Sequence, residues 1–203
     1  MSNPENNIHP TFDQLLQRRD KEKLLNQNST CLWLTGLSGS GKTTIAKGLE
    51  RKLHQEGFFT QLLDGDNVRS GICNNLSFSI QDRKENIRRI AEVNKLLVNA
   101  GVVTINCFVS PTEDIREMAR DIIGNDFHLI YINTSLEECE RRDVKGLYAK
   151  ARNGEIKNFT GIDSPFEIPY NPYREIITEK ISIEKAIDYL YAEIYDTIKY
   201  TSK

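Results

Sequence analysis

The chain has 203 residues, of which 38% are hydrophobic and 28% are charged, and its formal net charge at pH 7 is −2. This length suits one domain with a full hydrophobic core, and the charge argues against binding to nucleic acid or to a membrane surface. No apolar run reaches the length of a membrane span, and residues 1–10 lack the apolar core of a signal peptide. We therefore expect a cytoplasmic protein whose partners are small molecules.

The apolar and polar residues alternate along the chain in a way that predicts a regular architecture. Residues 1–30 are polar with one short helical pattern at 12–25, which predicts an arm or leading helix packed on the domain or on a partner subunit. Predicted strands lie at 31–35, 60–63, 102–109, 128–132 and 175–178, and predicted helices lie at 42–56, 81–100, 113–123, from 136 onward, and at 183–198. Strands alternating with helices predict an α/β three-layer sandwich around a central parallel sheet.

Two features of the chain fit this scheme less directly. Residues 143–170 contain Gly, Pro, Asn and alternating charges without a clean period, and we expect them to form a mobile lid. The cysteines stand too far apart for the spacing of a metal site. We expect them to be small buried hydrophobic side chains rather than ligands. They are Cys31, Cys73, Cys107 and Cys139.

A glycine-rich stretch follows the first predicted strand. Residues 36–43 match the phosphate-binding P-loop pattern G-x-x-x-x-G-K-[ST] and precede a predicted helix, which is the context that the pattern requires. In such a loop the backbone N–H groups and the helix N-terminus hold the β- and γ-phosphates of a nucleotide. Lys42 would follow the γ-phosphoryl group, and the hydroxyl of Thr43 would ligate Mg²⁺. The chain is therefore expected to bind a nucleoside triphosphate.

Two aspartates follow the second predicted strand. In extended backbone Asp64 and Asp66 would project to the same side. Beside a P-loop, one carboxylate can hold Mg²⁺ while the other orients an acceptor hydroxyl or accepts its proton. The alternative is a solvated acidic turn, since Asp-Gly is a common turn dipeptide.

Two further segments carry candidate binding residues. Arg83 and Asn86 stand three residues apart at the start of a predicted helix and share a face, and Arg69 could point into the same cavity. Arginine forks suit phosphate or sulfate oxygens, and Phe78 could stack on a base; the alternative is ordinary salt bridging on the helix surface. The basic segment 141–152 could close over the phosphates, or it could be a solvated charged loop.

Six runs of sequence together resemble the adenylyl-sulfate kinase (APS kinase) family: GLSGSGKTTIA, DGDNVRSGI, FSIQDRKENIRRIAEV, FVSP, CERRDVKGLYAKAR and FTGIDSPFE. They cover about residues 30–170 in the family's order and spacing. The resemblance implies a P-loop kinase domain at 31–203 with its lid at 143–170, and a homodimer for which the arm at 1–30 is a candidate contact. It implies a sulfate-assimilation enzyme that transfers the γ-phosphoryl group of ATP to the 3′-hydroxyl of adenylyl sulfate, giving 3′-phosphoadenylyl sulfate and ADP.

The resemblance also implies roles for individual residues. The ATP site would consist of Gly36, Leu37, Ser38, Gly39, Ser40, Gly41, Lys42, Thr43, Thr44 and, near the adenine, Arg152; Thr43 and Asp64 would hold Mg²⁺. The adenylyl-sulfate site would consist of Asp66, Arg69, Phe78, Arg83, Asn86, Val109, Ser110, Lys145, Phe159 and Thr160. The catalytic residues would be Lys42, Asp66 and Ser110. Family accounts label Ser110 a phosphoserine intermediate, although a P-loop, Mg²⁺ and an oriented hydroxyl suffice for direct in-line transfer.

Three other functions fit the sequence less well than this one. The runs at 64–69 and 159–163 argue against a gluconate, shikimate or nucleotide kinase of the same fold. A GTP-binding switch needs a guanine-reading Asn-Lys-x-Asp, whereas Asn94-Lys95 is followed by two leucines. An inactive regulatory module would not need the intact P-loop and both aspartates.

Overall fold

The computed structural model describes residues 9–201, so the first eight residues of the expected arm lie outside the described part. The strands are β1 (Thr30–Thr35), β2 (Thr60–Asp64), β3 (Val103–Cys107), β4 (Phe127–Asn133) and β5 (Arg174–Ile177). The α-helices are α1 (Arg18–Leu25), α2 (Lys42–Gln55), α3 (Gly65–Ser70), α4 (Ile80–Asn99), α5 (Glu113–Ile123), α6 (Leu136–Arg142), α7 (Leu147–Arg152) and α8 (Ile183–Ile198). Short 3-10 helices occupy Phe12–Gln14 and Gly124–Asp126.

The five strands form one parallel sheet in the order β2-β3-β1-β4-β5. Every residue of β1 is buried because helices cover both faces of the sheet, which explains its continuous apolar run. Helices α2 and α8 pack on one face, and α4 and α5 pack on the other. The prediction of a three-layer α/β sandwich with a parallel sheet is therefore confirmed. The carboxyl ends of β1, β2 and β3 share one edge, where ligands bind in such sheets.

The leading helix α1 packs on the domain itself. The guanidinium of Arg18 donates to both carboxylate oxygens of Asp126, at 2.6 and 2.9 Å. Glu22 accepts hydrogen bonds from the backbone N–H and the hydroxyl of Ser29, at 2.8 and 2.6 Å. We expected this segment to pack either on the domain or on a partner subunit, and for α1 these contacts favour the domain.

The expectation of extended backbone through Asp64 and Asp66 is wrong. Asp64 ends β2 in an extended conformation, but α3 begins at the next residue. The carboxylate of Asp64 accepts a hydrogen bond of 3.0 Å from the backbone N–H of Asp66, which caps this helix. The two side chains therefore belong to a helix cap and a first turn rather than to one face of a strand.

The predicted lid contains a helix that the irregular composition of residues 143–170 did not predict. Helix α7 begins after Gly146, whose positive φ of 65° suits glycine. The carboxylate of Asp143 accepts hydrogen bonds of 3.0 Å from the backbone N–H groups of Tyr148 and Ala149. Side-chain capping thus holds the first turn of α7 in place.

Two expectations about the whole chain can be compared with the described residues. None of the helices in residues 9–201 is both long and apolar enough to cross a bilayer. All four cysteines are buried and free, as predicted.

Candidate active site

The P-loop connects β1 to α2 at the carboxyl edge of the sheet. A side chain at Gly36 would place its Cβ 2.5 Å from the carbonyl oxygen of Ile132, so the loop can approach β4 this closely only with glycine there. Gly41 has a φ of 102° and precedes the first residue of α2, a conformation that other residues rarely adopt. The loop therefore presents its backbone N–H groups at a helix N-terminus, which favours an anion.

Lys42 is buried beneath this loop. Its ammonium donates to the carbonyl oxygens of Gly36 and Leu37 at 2.9 and 2.7 Å. Burial lowers the pKa of Lys42 to about 8, because transfer out of water disfavours the charged form. An anionic phosphate beside this ammonium would offset that cost.

Thr43 and Asp64 meet at the position expected for a metal. The hydroxyl of Thr43 donates to a carboxylate oxygen of Asp64 at 2.8 Å. Within residues 9–201 no group of three or more His, Cys, Asp or Glu side chains could hold a metal ion by itself. Two oxygen ligands suit Mg²⁺, which usually keeps several waters and binds substrate phosphates. The residues therefore fit an ion that arrives with the nucleotide.

Asp66 forms an ion pair with Lys145, which comes from the predicted lid. Both side chains remain largely exposed. The contact brings residues 79 positions apart in sequence to one point beside the P-loop. The carboxylate of Asp66 is thus accessible to a hydroxyl and adjacent to a cation.

Arg69 and Phe78 lie against each other at this edge of the sheet. The guanidinium of Arg69 lies 4.3 Å from the centre of the Phe78 ring and donates to the carbonyl oxygens of Leu76 and Ser77. The Phe78 residue is 59% exposed. A flat apolar surface is therefore available beside a positive charge.

Arg83 connects Phe78 to the predicted lid. It donates to the carbonyl oxygen of Phe78 at 2.9 Å, to the hydroxyl of Thr160 at 2.6 Å and to the carbonyl oxygen of Asn158. Burial, and then repulsion from Arg69, lower the pKa of Arg83 below its ordinary value. These hydrogen bonds go to neutral oxygens rather than to carboxylates, so the alternative of surface salt bridging is not what the structure shows for Arg83. Arg69 and Arg83 therefore place two guanidinium groups at the Phe78 ring.

Asn86 lies one helical turn further along α4. It is 4% exposed, and its side-chain oxygen has no hydrogen-bond partner among the described residues. A buried acceptor without a donor costs free energy. It is therefore a candidate contact for a ligand that donates a hydrogen bond.

Ser110 follows β3, and its hydroxyl both accepts and donates a hydrogen bond. Its hydroxyl accepts from the indole N–H of Trp33 at 3.1 Å and donates to the hydroxyl of Thr35 at 3.0 Å. The Thr35 hydroxyl in turn donates to the carbonyl oxygen of Val109 at 2.6 Å. Ser110 is 2% exposed and has a φ of 35°, which is unusual for a residue other than glycine. Its hydroxyl has little freedom to take on another partner.

The three arginines of the segment 141–152 pair with glutamates of helix α6. Arg141 and Arg142 each form a salt bridge with Glu138. Arg152, which the resemblance placed near the ATP adenine, forms a salt bridge of 2.5 Å with Glu140. These three arginines are therefore paired locally, which neither alternative for the segment anticipated, and the place of Arg152 near the ATP adenine stays a prediction.

Two residues that the sequence did not single out organise the site. The hydroxyl of Tyr148 donates to the carbonyl oxygen of Ser38 in the P-loop at 2.9 Å. The buried Arg116 of α5 donates to the carbonyl oxygens of Ser110 and Glu167, both at 2.9 Å. A buried arginine has no simple sequence signal, whereas Tyr148 belongs to the run KGLY.

Comparisons with known proteins agree with this geometry. The family model for adenylylsulphate kinase matches residues 28–177. The adenylyl-sulfate kinase of Bacteroides thetaiotaomicron is 57% identical over 195 residues, covering 96% of this chain and 97% of that protein. The adenylyl-sulfate kinase of Phocaeicola vulgatus is 60% identical over 187 residues, covering 92% of each chain.

A solved structure agrees as well. The APS kinase CysC of Mycobacterium tuberculosis, in complex with AMPPNP and APS, is 43% identical with a TM-score of 0.80, covering 83% of this chain and 98% of that one. The resemblance seen in the sequence and the P-loop kinase fold are thereby confirmed. The chain belongs to the adenylyl-sulfate kinase family, a family of phosphotransferases.

Proposed function

We propose that the protein transfers the γ-phosphoryl group of ATP directly to the 3′-hydroxyl of adenylyl sulfate, giving 3′-phosphoadenylyl sulfate and ADP. The observation that carries the acceptor assignment is the pair of half-buried arginines, Arg69 and Arg83, at the Phe78 ring. Adenylyl sulfate combines an anionic phosphate–sulfate end with a flat adenine. Guanidinium forks suit the anion, and an aromatic ring suits the base.

The nucleotide side of the reaction rests on the P-loop. The loop N–H groups and Lys42 hold the phosphates of ATP, and the ammonium compensates charge on the transferring group. Thr43 and Asp64 would hold Mg²⁺, which would supply charge compensation to the phosphates of ATP. Arg152 would have to leave Glu140 to approach the adenine. We therefore propose that Arg152 contacts ATP, but that the P-loop residues are the main determinants of ATP binding.

The acceptor side rests on Asp66. Its accessible carboxylate is placed to orient the 3′-hydroxyl and to accept its proton as the bond to phosphorus forms. Lys145 of the lid stabilises the carboxylate and can turn toward the transferring phosphoryl group. Asn86, with its unpartnered oxygen, accepts a hydrogen bond from the substrate. Val109, Phe159 and Thr160 complete the walls of the pocket.

The transfer needs no enzyme nucleophile. Ser110 is buried and its hydroxyl is engaged by Trp33 and Thr35. A phosphoserine there would bury a dianion in place of a hydroxyl whose partners are an indole N–H and a threonine hydroxyl, and charge burial of this kind is costly. We therefore assign Ser110 to the architecture of the pocket and propose a single in-line step.

The lid and the quaternary structure complete the proposal. Residues 143–170 close over both substrates and exclude water, which limits wasteful hydrolysis of ATP. The protein acts as a homodimer in which residues 1–30 contribute contacts. Exposed apolar side chains at Phe12, Leu15 and Leu16 support this, since clustered exposed apolar residues mark interaction surfaces. Light scattering on the wild type and on Leu16→Ser tests it, with a monomeric wild type as the contrary result.

A coupled assay of ADP release tests the function. We expect turnover with adenylyl sulfate and little with gluconate, shikimate or AMP. Arg83→Ala should lower kcat/KM for adenylyl sulfate by about 10- to 100-fold, the scale of a lost charge-assisted hydrogen bond. The affinity for ATP measured without acceptor should stay near the wild-type value.

A variant of a neighbouring arginine provides the matched control. Arg88 lies on the same helix, is half exposed and pairs with Glu85, so Arg88→Ala should keep kcat/KM within about twofold. Faster ADP release with another acceptor would contradict the proposed substrate. Equal losses in the two variants would contradict the role of Arg83.

A further inference from the structure

The lid helix α7 touches the P-loop through one side chain. Tyr148 is 3% exposed, and its hydroxyl donates to the carbonyl oxygen of Ser38 at 2.9 Å. The two residues lie 110 positions apart in sequence. This hydrogen bond fixes the orientation of a peptide group in the loop whose N–H groups face the phosphates.

The ring of Tyr148 also contacts the acceptor side of the lid. It meets the ring of Phe159 edge to face, with centroids 5.0 Å apart. The next residue, Thr160, accepts a hydrogen bond from Arg83, which forms the adenylyl-sulfate pocket with Phe78. A continuous series of contacts thus runs from the ATP loop to the acceptor pocket.

Two further contacts hold Tyr148 in this position. The carboxylate of Asp143 accepts from its backbone N–H. Leu37 of the P-loop packs in one apolar cluster with Tyr148 and Phe159. The P-loop and the lid therefore share a small core, and a side chain in such a core has few alternative arrangements.

We propose that Tyr148 is a positioning residue that couples ATP binding at the P-loop to closure of residues 143–170 over the acceptor. The inference rests on the proposed function, because it needs both substrates to bind where the two pockets were assigned. Phosphate binding orders the loop that carries the Ser38 carbonyl. That ordered carbonyl favours the position of Tyr148 in which Phe159 and Thr160 close the acceptor pocket. Because such coupling is reciprocal, adenylyl sulfate strengthens ATP binding by the same factor.

Tyr148→Phe tests the coupling, because it removes the hydroxyl and keeps the ring against Phe159. The measurement is calorimetric affinity for adenylyl sulfate without and with a saturating non-hydrolysable ATP analogue. In the wild type the analogue should tighten binding by about fivefold or more, the usual range of coupling between sites. In Tyr148→Phe this factor should fall by about threefold or more, toward one, the scale of one lost hydrogen bond. Affinity for adenylyl sulfate alone should change much less.

Tyr173→Phe is the matched control. Tyr173 is also partly buried, and its hydroxyl donates to a backbone carbonyl, that of Glu193, at 3.1 Å. It should lose similar stability in a thermal melt and keep the wild-type coupling factor. Three results would overturn the inference and leave the proposed function standing. They are a wild-type coupling factor in Tyr148→Phe, an equal loss of coupling in Tyr173→Phe, and a wild type that binds both ligands without coupling. A wild type that binds no adenylyl sulfate would overturn the proposed function and the inference with it.

Discussion

Burial determines what Lys42 and Ser110 can do in this site. The ammonium of Lys42 is held by two carbonyl oxygens but removed from water, so it is charged at a cost. The hydroxyl of Ser110 is equally buried, but both its donor and its acceptor functions are satisfied. The arrangement of Lys42 suits a group that binds an anion, and that of Ser110 suits a structural hydrogen bond.

Lys42→Met should reduce turnover by about a hundredfold or more, on the scale of removing a donor to the transition state. The same substitution should raise stability at neutral pH, because it removes a buried charge. Steady-state kinetics and urea unfolding at pH 7 measure the two effects. A less stable variant would show that the carbonyl contacts of Lys42 outweigh its desolvation.

The stability difference between Lys42→Met and the wild type should depend on pH. Below about pH 8 both the folded and the unfolded wild type hold the Lys42 proton, so the cost of burial is complete. Between about 8 and the ordinary value of 10.5 the unfolded state binds more protons, so the free energy of unfolding contributed by this group rises with pH. The advantage of the variant should therefore shrink through this range. An advantage that stayed constant or grew from pH 7 to 10 would contradict the lowered pKa.

Ser110→Ala should stay active, within about tenfold of the wild-type turnover, because direct transfer needs no enzyme nucleophile. It should lose about 1–3 kcal/mol of stability, since the indole N–H of Trp33 is left without its acceptor. Turnover per folded molecule and urea unfolding provide the two measurements. If Ser110→Ala proved as inactive as Lys42→Met, and the wild type yielded a phosphoserine, the direct mechanism would be wrong.

At the scale of elements, two short helices carry Asp66 and Tyr148 at the candidate site. Asp64 caps α3 and so sets the position of Asp66, and Asp143 caps α7 and so sets that of Tyr148. Each cap is one carboxylate that satisfies backbone N–H groups of the first turn. Short helices have few other contacts, so such caps determine where they begin.

Asp143→Ala should lower kcat/KM for adenylyl sulfate by about 3- to 10-fold, the scale of a lost helix cap, because α7 loses its fixed start. Ser182→Ala is the matched control, since it removes the cap of α8, where the serine hydroxyl accepts from Lys185 N–H. The control should lose stability but keep kcat/KM. Matching kinetic losses in both variants would point to general destabilisation rather than to the lid.

At the scale of the whole molecule, a buried pair of amides joins α4 to the centre of the sheet. Asn94 and Asn106 exchange two hydrogen bonds of 2.8 Å, and both residues are fully buried. The Asn106 amide also donates to the carbonyl oxygen of Leu32 in β1. Asn106 therefore faces the α4 layer, and its polar side chain serves the packing of helix on sheet.

Asn106→Leu should lower the free energy of unfolding by about 1–3 kcal/mol, because it leaves the Asn94 side chain partly unsatisfied. Asn94→Leu combined with Asn106→Leu should cost less than the sum of the single variants, since no amide then lacks its partner. Urea unfolding of the four proteins measures the coupling. Additive losses would show that the two amides act independently. Turnover per folded molecule should stay near the wild-type value throughout.

The sequence by itself determined the parallel α/β sandwich, the P-loop and the family. These follow from local patterns: continuous apolar runs mark buried strands, and the P-loop match sits between a strand and a helix. The end points of α5 and α8 were predicted correctly for the same reason. Such features depend on residues close together in the chain, which a sequence displays directly.

The tertiary structure alone decided which polar residues of the site act together. Lys145 and the three arginines of the segment 141–152 look alike in sequence, yet Lys145 reaches Asp66 while the three arginines pair with glutamates of α6. The sequence likewise did not predict that the hydroxyl of Ser110 is hydrogen-bonded or that Tyr148 contacts Ser38. The contacts of Lys145, Ser110 and Tyr148 join residues between 75 and 110 positions apart, and their geometry exists only after the sheet has brought its strand ends to one edge. Side-chain partners at that distance depend on the closed fold, because a charge binds whichever opposite charge or carbonyl the packing places within reach.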